Sequence, residues 1–346
     1  LDRLVHVSLP PWGPWSAAGR FRMGARGYAV EDLKLQVGSS RLHGRGTLDT
    51  TQGRPKLDVA LSAPLVQLDD FGTDGWSALG DKPAAEPSDA QSLRRKAAEA
   101  SDRAEALLSR ENLSQVDATL SVSVEQVRSG ADLLGEGSLQ ARLAGGRAEI
   151  GPVRLSMPGG RADWRLSYEP REKDVLAALK VDIENFDYGV IARRIRPDTD
   201  LGGRFSLAMD ISSRAPQLSG LLAHGSGSID VAAWPQRLRA GIFDLWAVNL
   251  FVALLPTLDP KNESVINCAI GRFALDDGKL KQKQLLIDTS RMRVTGSAAV
   301  DFGAETVRLR LQPQAKTAQF LSLATPIEVN GNFNEFKVGP NPGDVL

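Results

Sequence analysis

The chain is poor in the residues that build most chemical centres. Among its 346 residues there is one cysteine and there are three histidines. Cys268 alone closes no intramolecular disulfide, so no disulfide framework holds the fold, and no Cys/His zinc cluster can be assembled. His6, His43 and His224 stand far apart, and none lies in a His-x-His or His-Glu-x-x-His spacing. Metal-assisted hydrolysis therefore has no visible ligand set, and the three read as surface or turn histidines. Neither charge is in excess. The 42 Lys and Arg balance 42 Asp and Glu, which excludes the concentrated basic composition of a nucleic-acid binder. The apolar segment Arg239 to Leu255 is shorter than the ~20 residues a membrane span requires. The chain opens on Leu1 with no charged and then apolar leader, and so reads as a processed form or a fragment.

Catalytic motifs are also missing. Gly225-Ser226-Gly227 holds part of a nucleophile elbow without the strand, turn and helix it needs. Gly44-x-Gly46 lacks the third glycine and the helix of a dinucleotide site, and Gly278-Lys279 lacks the rest of a phosphate loop. Asp69-Asp70 and Asp276-Asp277 fall where strands end, where a carboxylate bonds backbone N–H groups in turns; a general acid/base pair is the lesser reading. Asp198-Thr199-Asp200 has a calcium-loop flavour without the terminal Glu and reads as a turn. Asn112-Leu113-Ser114 and Asn262-Glu263-Ser264 are glycosylation acceptors in form only. No cofactor is implied, and the chain is not read as an enzyme.

What is abundant is alternation at period two. Leu57, Val59 and Leu61 share one face of a strand whose other face carries Lys56, Asp58 and Ala60. The pattern returns in Leu120/Val122/Val124, in Leu179/Val181/Ile183 and in Val307/Leu309/Leu311, the last with Arg308 and Arg310 pointing outward. Such strands belong to antiparallel sheets with one wet face. An internal repeat supports this: moving Leu33–Asp49 by 252 places it without a gap on Leu285–Asp301, so that Leu33 meets Leu285, Leu35 meets Ile287 and Gly44 meets Gly296. Continuing the register puts Leu57 on Leu309 and Val59 on Leu311. A shift of 120 yields a weaker copy through Val153, Leu155, Met157, Ala162 and Tyr168, with Trp164 in place of the glycine. Gly-x-Gly motifs at Gly44, Gly135 and Gly225 read as marks of strand starts.

The organisation expected is an N-terminal β unit over 1–75, a polar linker and charged helix over 76–112, a middle β unit over 113–235, an apolar helix over 236–258 and a C-terminal β unit over 259–346. The charged helix runs from Ser88 to about Arg110. The apolar helix is expected to dock on the sheet through Ile242, Leu245, Trp246 and Leu250 and to limit access at one end. The fold class expected is mainly β: antiparallel meander units stacked into an elongated, curled open sheet enclosing a hydrophobic groove, with two helices.

In the C-terminal third, Asn267-Cys268-Ala269-Ile270-Gly271-Arg272-Phe273-Ala274-Leu275-Asp276-Asp277-Gly278, then Leu286-Ile287-Asp288-Thr289, Val294-Thr295-Gly296 and Ala324-Thr325-Pro326-Ile327-Glu328-Val329-Asn330-Gly331-Asn332-Phe333 resemble the C-terminal region of AsmA-family proteins of Gram-negative bacteria. The opening Leu9-Pro10-Pro11-Trp12-Gly13-Pro14-Trp15 and the Leu65–Phe71 strand resemble the family's upstream unit. The resemblance implies a periplasmic envelope protein, anchored in the inner membrane by an N-terminal helix that this chain lacks, with a β-groove that passes phospholipids between inner and outer membranes and contributes to outer-membrane assembly. Its partners would be phospholipids, both membranes and other envelope proteins, with no nucleic acid. The candidate groove residues are Leu33, Leu35, Leu57, Val59, Leu61, Leu120, Val122, Val124, Val181, Ile183, Leu285, Ile287, Val307, Leu309 and Leu311. A structural or adaptor protein of the envelope, without lipid carriage, is the alternative, because alternation alone does not distinguish an open groove from a sealed core.

Overall fold

A computed structural model describes residues 14–51, 53–71, 105, 107–157, 159–195, 202–236, 266–290, 292–316, 326–333 and 336–340. The chain divides into two compact units. The first comprises Leu1–Ala178 with Ala215–Ser219, the second Leu179–Arg214 with Gly220–Leu346. Both are mainly β, as alternation requires. The first holds β1 (Trp15–Gly24), β2 (Gly27–Val37), β3 (Ser40–Asp49), β4 (Lys56–Gln67), β5 (Asp117–Ser129), β6 (Asp132–Ala144), β7 (Arg147–Met157) and β8 (Gly160–Pro170). Strand β9 (Val175–Asp187) straddles the division. The second unit continues with β10 (Gly202–Ala215), β11 (Gly225–Gln236), β12 (Ile266–Asp276), β13 (Lys279–Thr289), β14 (Met292–Asp301), β15 (Thr306–Ala315), β16 (Ile327–Asn332) and β17 (Phe336–Pro340).

From β1 to β8, and again from β10 to β17, each strand pairs with its successor. These pairings are antiparallel with one exception: β4 and β5 run parallel. The antiparallel expectation fails there because the long segment between Gln67 and Asp117 brings the chain back to the end at which β4 began, which only a crossover connection can do. The charged helix expected from Ser88 to about Arg110 falls mostly outside the described residues; Glu105 and Leu107 are helical, and a separate helical turn follows Ser109. Ser109, at φ −64° and ψ 152°, caps α1 (Arg110–Leu113) by accepting from the Asn112 amide. A second short helix, α2 (Gly189–Ile195), was not expected; the Asp187 carboxylate accepts from the Gly189 amide at its start, 2.9 Å. The apolar helix and its Ile242, Leu245, Trp246 and Leu250 lie outside the described residues, as does Asp198-Thr199-Asp200.

The internal repeat survives as geometry. In β2 and β3, Leu33 pairs with Gly44, Leu35 with Leu42 and Tyr28 with Leu48, with a bulge between Val30 and Leu33. In β7 and β8, Val153 pairs with Trp164, Leu155 with Ala162 and Ala148 with Tyr168, bulged between Ile150 and Val153. In β13 and β14, Ile287 pairs with Val294 and Leu280 with Val300, bulged between Lys281 and Leu286. Three hairpins therefore share one pairing scheme, extra residue included. The continuation into the next strand needs correction. Leu57 pairs with Leu48, and Val307 pairs with Val300, so Leu57 corresponds to Val307 and Val59 to Leu309. The loop before β15 is shorter than the loop before β4 by two residues, an even number, so the faces are unchanged.

The Gly-x-Gly motifs also have another meaning than strand starts. Gly225 does open β11, but Gly44 lies inside β3. A Cβ on Gly44 would come 2.0 Å from the Ala60 carbonyl oxygen, and one on Gly296, its counterpart in the repeat, 2.4 Å from the Arg310 carbonyl oxygen. These glycines let neighbouring backbones approach closely in mid-sheet.

Candidate functional site

Residues that pair directly across strands share a face, so the register sorts every side chain. In the first unit one row runs from Phe21 through Val30, Gly46, Val59, Leu120, Ala141 and Ile150 to Leu166. The next runs from Leu33 through Gly44, Leu61, Val122, Leu139 and Val153 to Trp164. Rows containing Leu57 and Leu143, and Leu35 and Val124, lie beside them on the same face. Leu33, Leu35, Leu57, Val59, Leu61, Leu120, Val122 and Val124 are therefore brought together on a single apolar face. The candidate groove residues omit its extension across β6, β7 and β8, although Leu139, Ala141 and Leu143 alternate as clearly and the weaker repeat copy marks Val153 and Leu155.

This face is open in its middle rows and closed at one end, where Leu42, Ala63 and Ala162 are buried. No residue of the Val59 and Leu61 rows is fully buried. Leu57 remains 38% exposed, Ile150 39% and Trp164 38%. A packed core holds such residues out of water almost entirely.

The second unit closes the corresponding end of its face further. Its register again places Val307, Leu309 and Leu311 on one face, opposite Val300, Ala298 and Gly296, while Arg308 and Arg310 point the other way beside Ala299 and Ser297. Arg310 reaches Glu328 at 3.4 Å. Here Ile287 and Leu311 are buried in a cluster with Ile266 and Val294, and Leu285 and Leu309 pack against it. On β9, Val181 and Ile183 are half-buried. The later part of β9 meets β10, where the Asn185 amide donates to Ser206 Oγ at 3.1 Å and the Phe186 and Phe205 rings meet edge to face at 5.3 Å.

The opposite face of the first unit is polar. Cross-strand partners His43, Ser62, Ser123, Ser138 and Arg154 form one row of it and line a cavity of about 580 Å³ together with Glu125, Glu136 and Ser156. The cavity opens where the β4–β5 ladder is interrupted between Ala63 and Val66. Arg154 of this lining sits 3.3 Å from Asp163.

The strand-end aspartates are structural pins. Asp70, in a 3-10 turn over Leu68–Phe71, accepts from the Ser39 and Ser40 amides at 3.0 and 2.8 Å and from the Ser40 hydroxyl at 2.6 Å, tying down the β2–β3 turn. Burial works against its charge, but the hydrogen bonds from Ser40 and Ser39 prevail and hold its carboxyl below the usual range. Its neighbour Asp69 accepts from the Gly130 amide at 2.8 Å in the β5–β6 turn. Asp49 and its repeat counterpart Asp301 each accept from an amide just beyond their strand, of Thr51 and Ala304, both at 2.9 Å. The side-chain hydrogen bond from Thr51 lowers the Asp49 pKa, that from Thr119 lowers Asp58, and the Gly145 amide lowers Asp117. Hydrogen bonds of this kind favour a standing carboxylate, whereas a general acid needs a raised pKa. His224 sits 3.3 Å from Asp277 in the β12–β13 turn. Among the described residues, no group of three His, Cys, Asp or Glu could hold a metal ion. No described helix is long and apolar enough to cross a membrane.

Over its whole length the chain is 20% identical to the AsmA family protein YhjG of Escherichia coli strain K12, and it spans 52% of that protein. No family model and no solved structure matches it. The similarity at full length supports an AsmA-like assignment.

Proposed function

We propose that this AsmA-like chain is part of an envelope-associated protein and that the apolar face of its first unit carries phospholipid acyl chains, as one stretch of a passive β-groove passing lipid between the inner and outer membranes from the periplasm. The observation that supports this is the open apolar face: rows of Leu, Val and Ile crossing from β2 to β8 with none of the Val59 or Leu61 row fully buried. Moving one CH₂ from hydrocarbon to water costs about 0.8 kcal/mol, so two long tails face tens of kcal/mol in a free lipid. A face of this kind offsets most of that cost while the headgroup stays wet. Neighbouring rows offer similar surroundings, which favours sliding over trapping, and no covalent step is required.

A second reading, a scaffold without lipid, draws on the buried Ile266, Ile287, Val294 and Leu311 cluster, which packs as an ordinary core. A photoactivatable crosslinker at position 59 separates the two, with position 58 as its control. Val59 lies on the apolar face and Asp58 on the polar one, where it accepts from Thr119. Capture of phospholipid in cells from position 59 and not from position 58 is expected; crosslinks to protein alone at both positions overturn the conduit for this strand.

A further inference from the structure

We propose that the β1–β2 hairpin docks on an anionic phospholipid bilayer surface. Every residue of β1 is exposed. Near the turn its apolar side carries Phe21 and Met23, 65% and 74% exposed, and Tyr28 of β2 stands opposite Met23. The rings of Phe21 and Tyr28 stack with centroids 5.8 Å apart. The other side of the same strand carries Arg20 and Arg22, and the turn carries Arg26.

Charge says which surface this patch meets. Across the hairpin, Trp15 to Val37, four basic residues (Arg20, Arg22, Arg26, Lys34) stand against two carboxylates (Glu31, Asp32), in a chain whose charges balance overall. Arg20 is paired with Asp32, and Arg22 with Glu31 at 2.9 Å, both well exposed, so these pairs are weak and can be exchanged for phosphates. Exposed aromatic rings beside arginines suit the headgroup layer, where the apolar body sinks to the acyl boundary and the guanidinium stays at the phosphates. A neutral protein partner has no use for the positive excess. Phe21 ends the Val59 row, so the patch continues the apolar face, but docking uses only the exposed hairpin near its turn and does not need acyl chains to cross β4.

The test is co-sedimentation of the full chain with phosphatidylcholine vesicles, with and without phosphatidylglycerol. Binding is expected only with phosphatidylglycerol, and it should weaken as salt rises, since the Debye length shrinks to about 8 Å at physiological ionic strength. Phe21→Ser with Met23→Ser should weaken binding roughly tenfold, and Arg26→Glu severalfold, with thermal unfolding unchanged. Met23→Ser alone serves if the double variant melts early. Val59→Asp should bind vesicles like the unaltered chain, so failure of the acyl conduit and failure of docking give different results. Absence of binding, or equal binding to neutral vesicles, overturns the proposal. So does concentration-dependent dimerisation abolished by the Phe21 and Met23 substitutions without vesicle binding, which assigns the patch to a second copy of the chain.

Discussion

At the scale of single residues, the informative positions are those where the backbone leaves no choice. Gly44 has an Ala60 carbonyl where its Cβ would be, whereas the nearest atom to a Cβ on Gly46 is Val59 Cγ2 at 3.8 Å. Gly44→Ala should therefore force β3 from β4 and cost about 1–3 kcal/mol in a urea titration, with Gly46→Ala near neutral. Equal effects would mean that lost chain flexibility, not close approach, explains the glycine. Asp70 supports a pH prediction. Its folded-state pKa is depressed, so its stabilising effect is fully present above the ordinary carboxylate range and is lost as pH falls through the folded value. Asp70→Asn should lower stability by about 1–2 kcal/mol at neutral pH through weakened hydrogen bonds to Ser39 and Ser40, and should flatten the acid limb of the stability curve. An acid limb of unchanged steepness would show that other carboxylates carry it.

At the scale of elements, two rows of the apolar faces make opposite predictions for one substitution. Val59 in β4 is half-exposed on an open face, while Leu311 in β15 is buried against Ile287 and Val294. An aspartate at position 59 can stay hydrated, so Val59→Asp should shift the denaturation midpoint little; Leu311→Asp buries a charge and should cost about 3–5 kcal/mol. Both are read by chemical denaturation. If Val59→Asp is as damaging as Leu311→Asp, the face of the first unit is sealed and acyl chains have no place on it. The alternation in these strands is equally strong, so their sequences alone did not predict this difference. Whether a face is covered depends on what else the chain brings to it.

At the scale of the whole molecule, lipid carriage predicts that the purified chain brings phospholipid with it. Native mass spectrometry should find adducts of phospholipid mass that Val59→Asp diminishes; a lipid-free chain that still supports envelope integrity would favour the scaffold. The chain spans about half the length of the AsmA family protein it matches.

The sequence by itself determined the class of fold, the strand faces and the repeat, because a period of two is a local property: Leu57, Val59 and Leu61 must point one way once they form a strand. It also placed Arg308 and Arg310 outward and the paired aspartates in turns, since each rests on neighbours a few residues away. The tertiary structure alone decided the parallel pairing of β4 with β5, the correspondence of Leu57 with Val307, the close backbone approach at Gly44 and the burial that separates Leu311 from Val59. Each of these depends on how far apart segments meet, through the length of a connection or the cover over a face, and no window of adjacent residues contains that information.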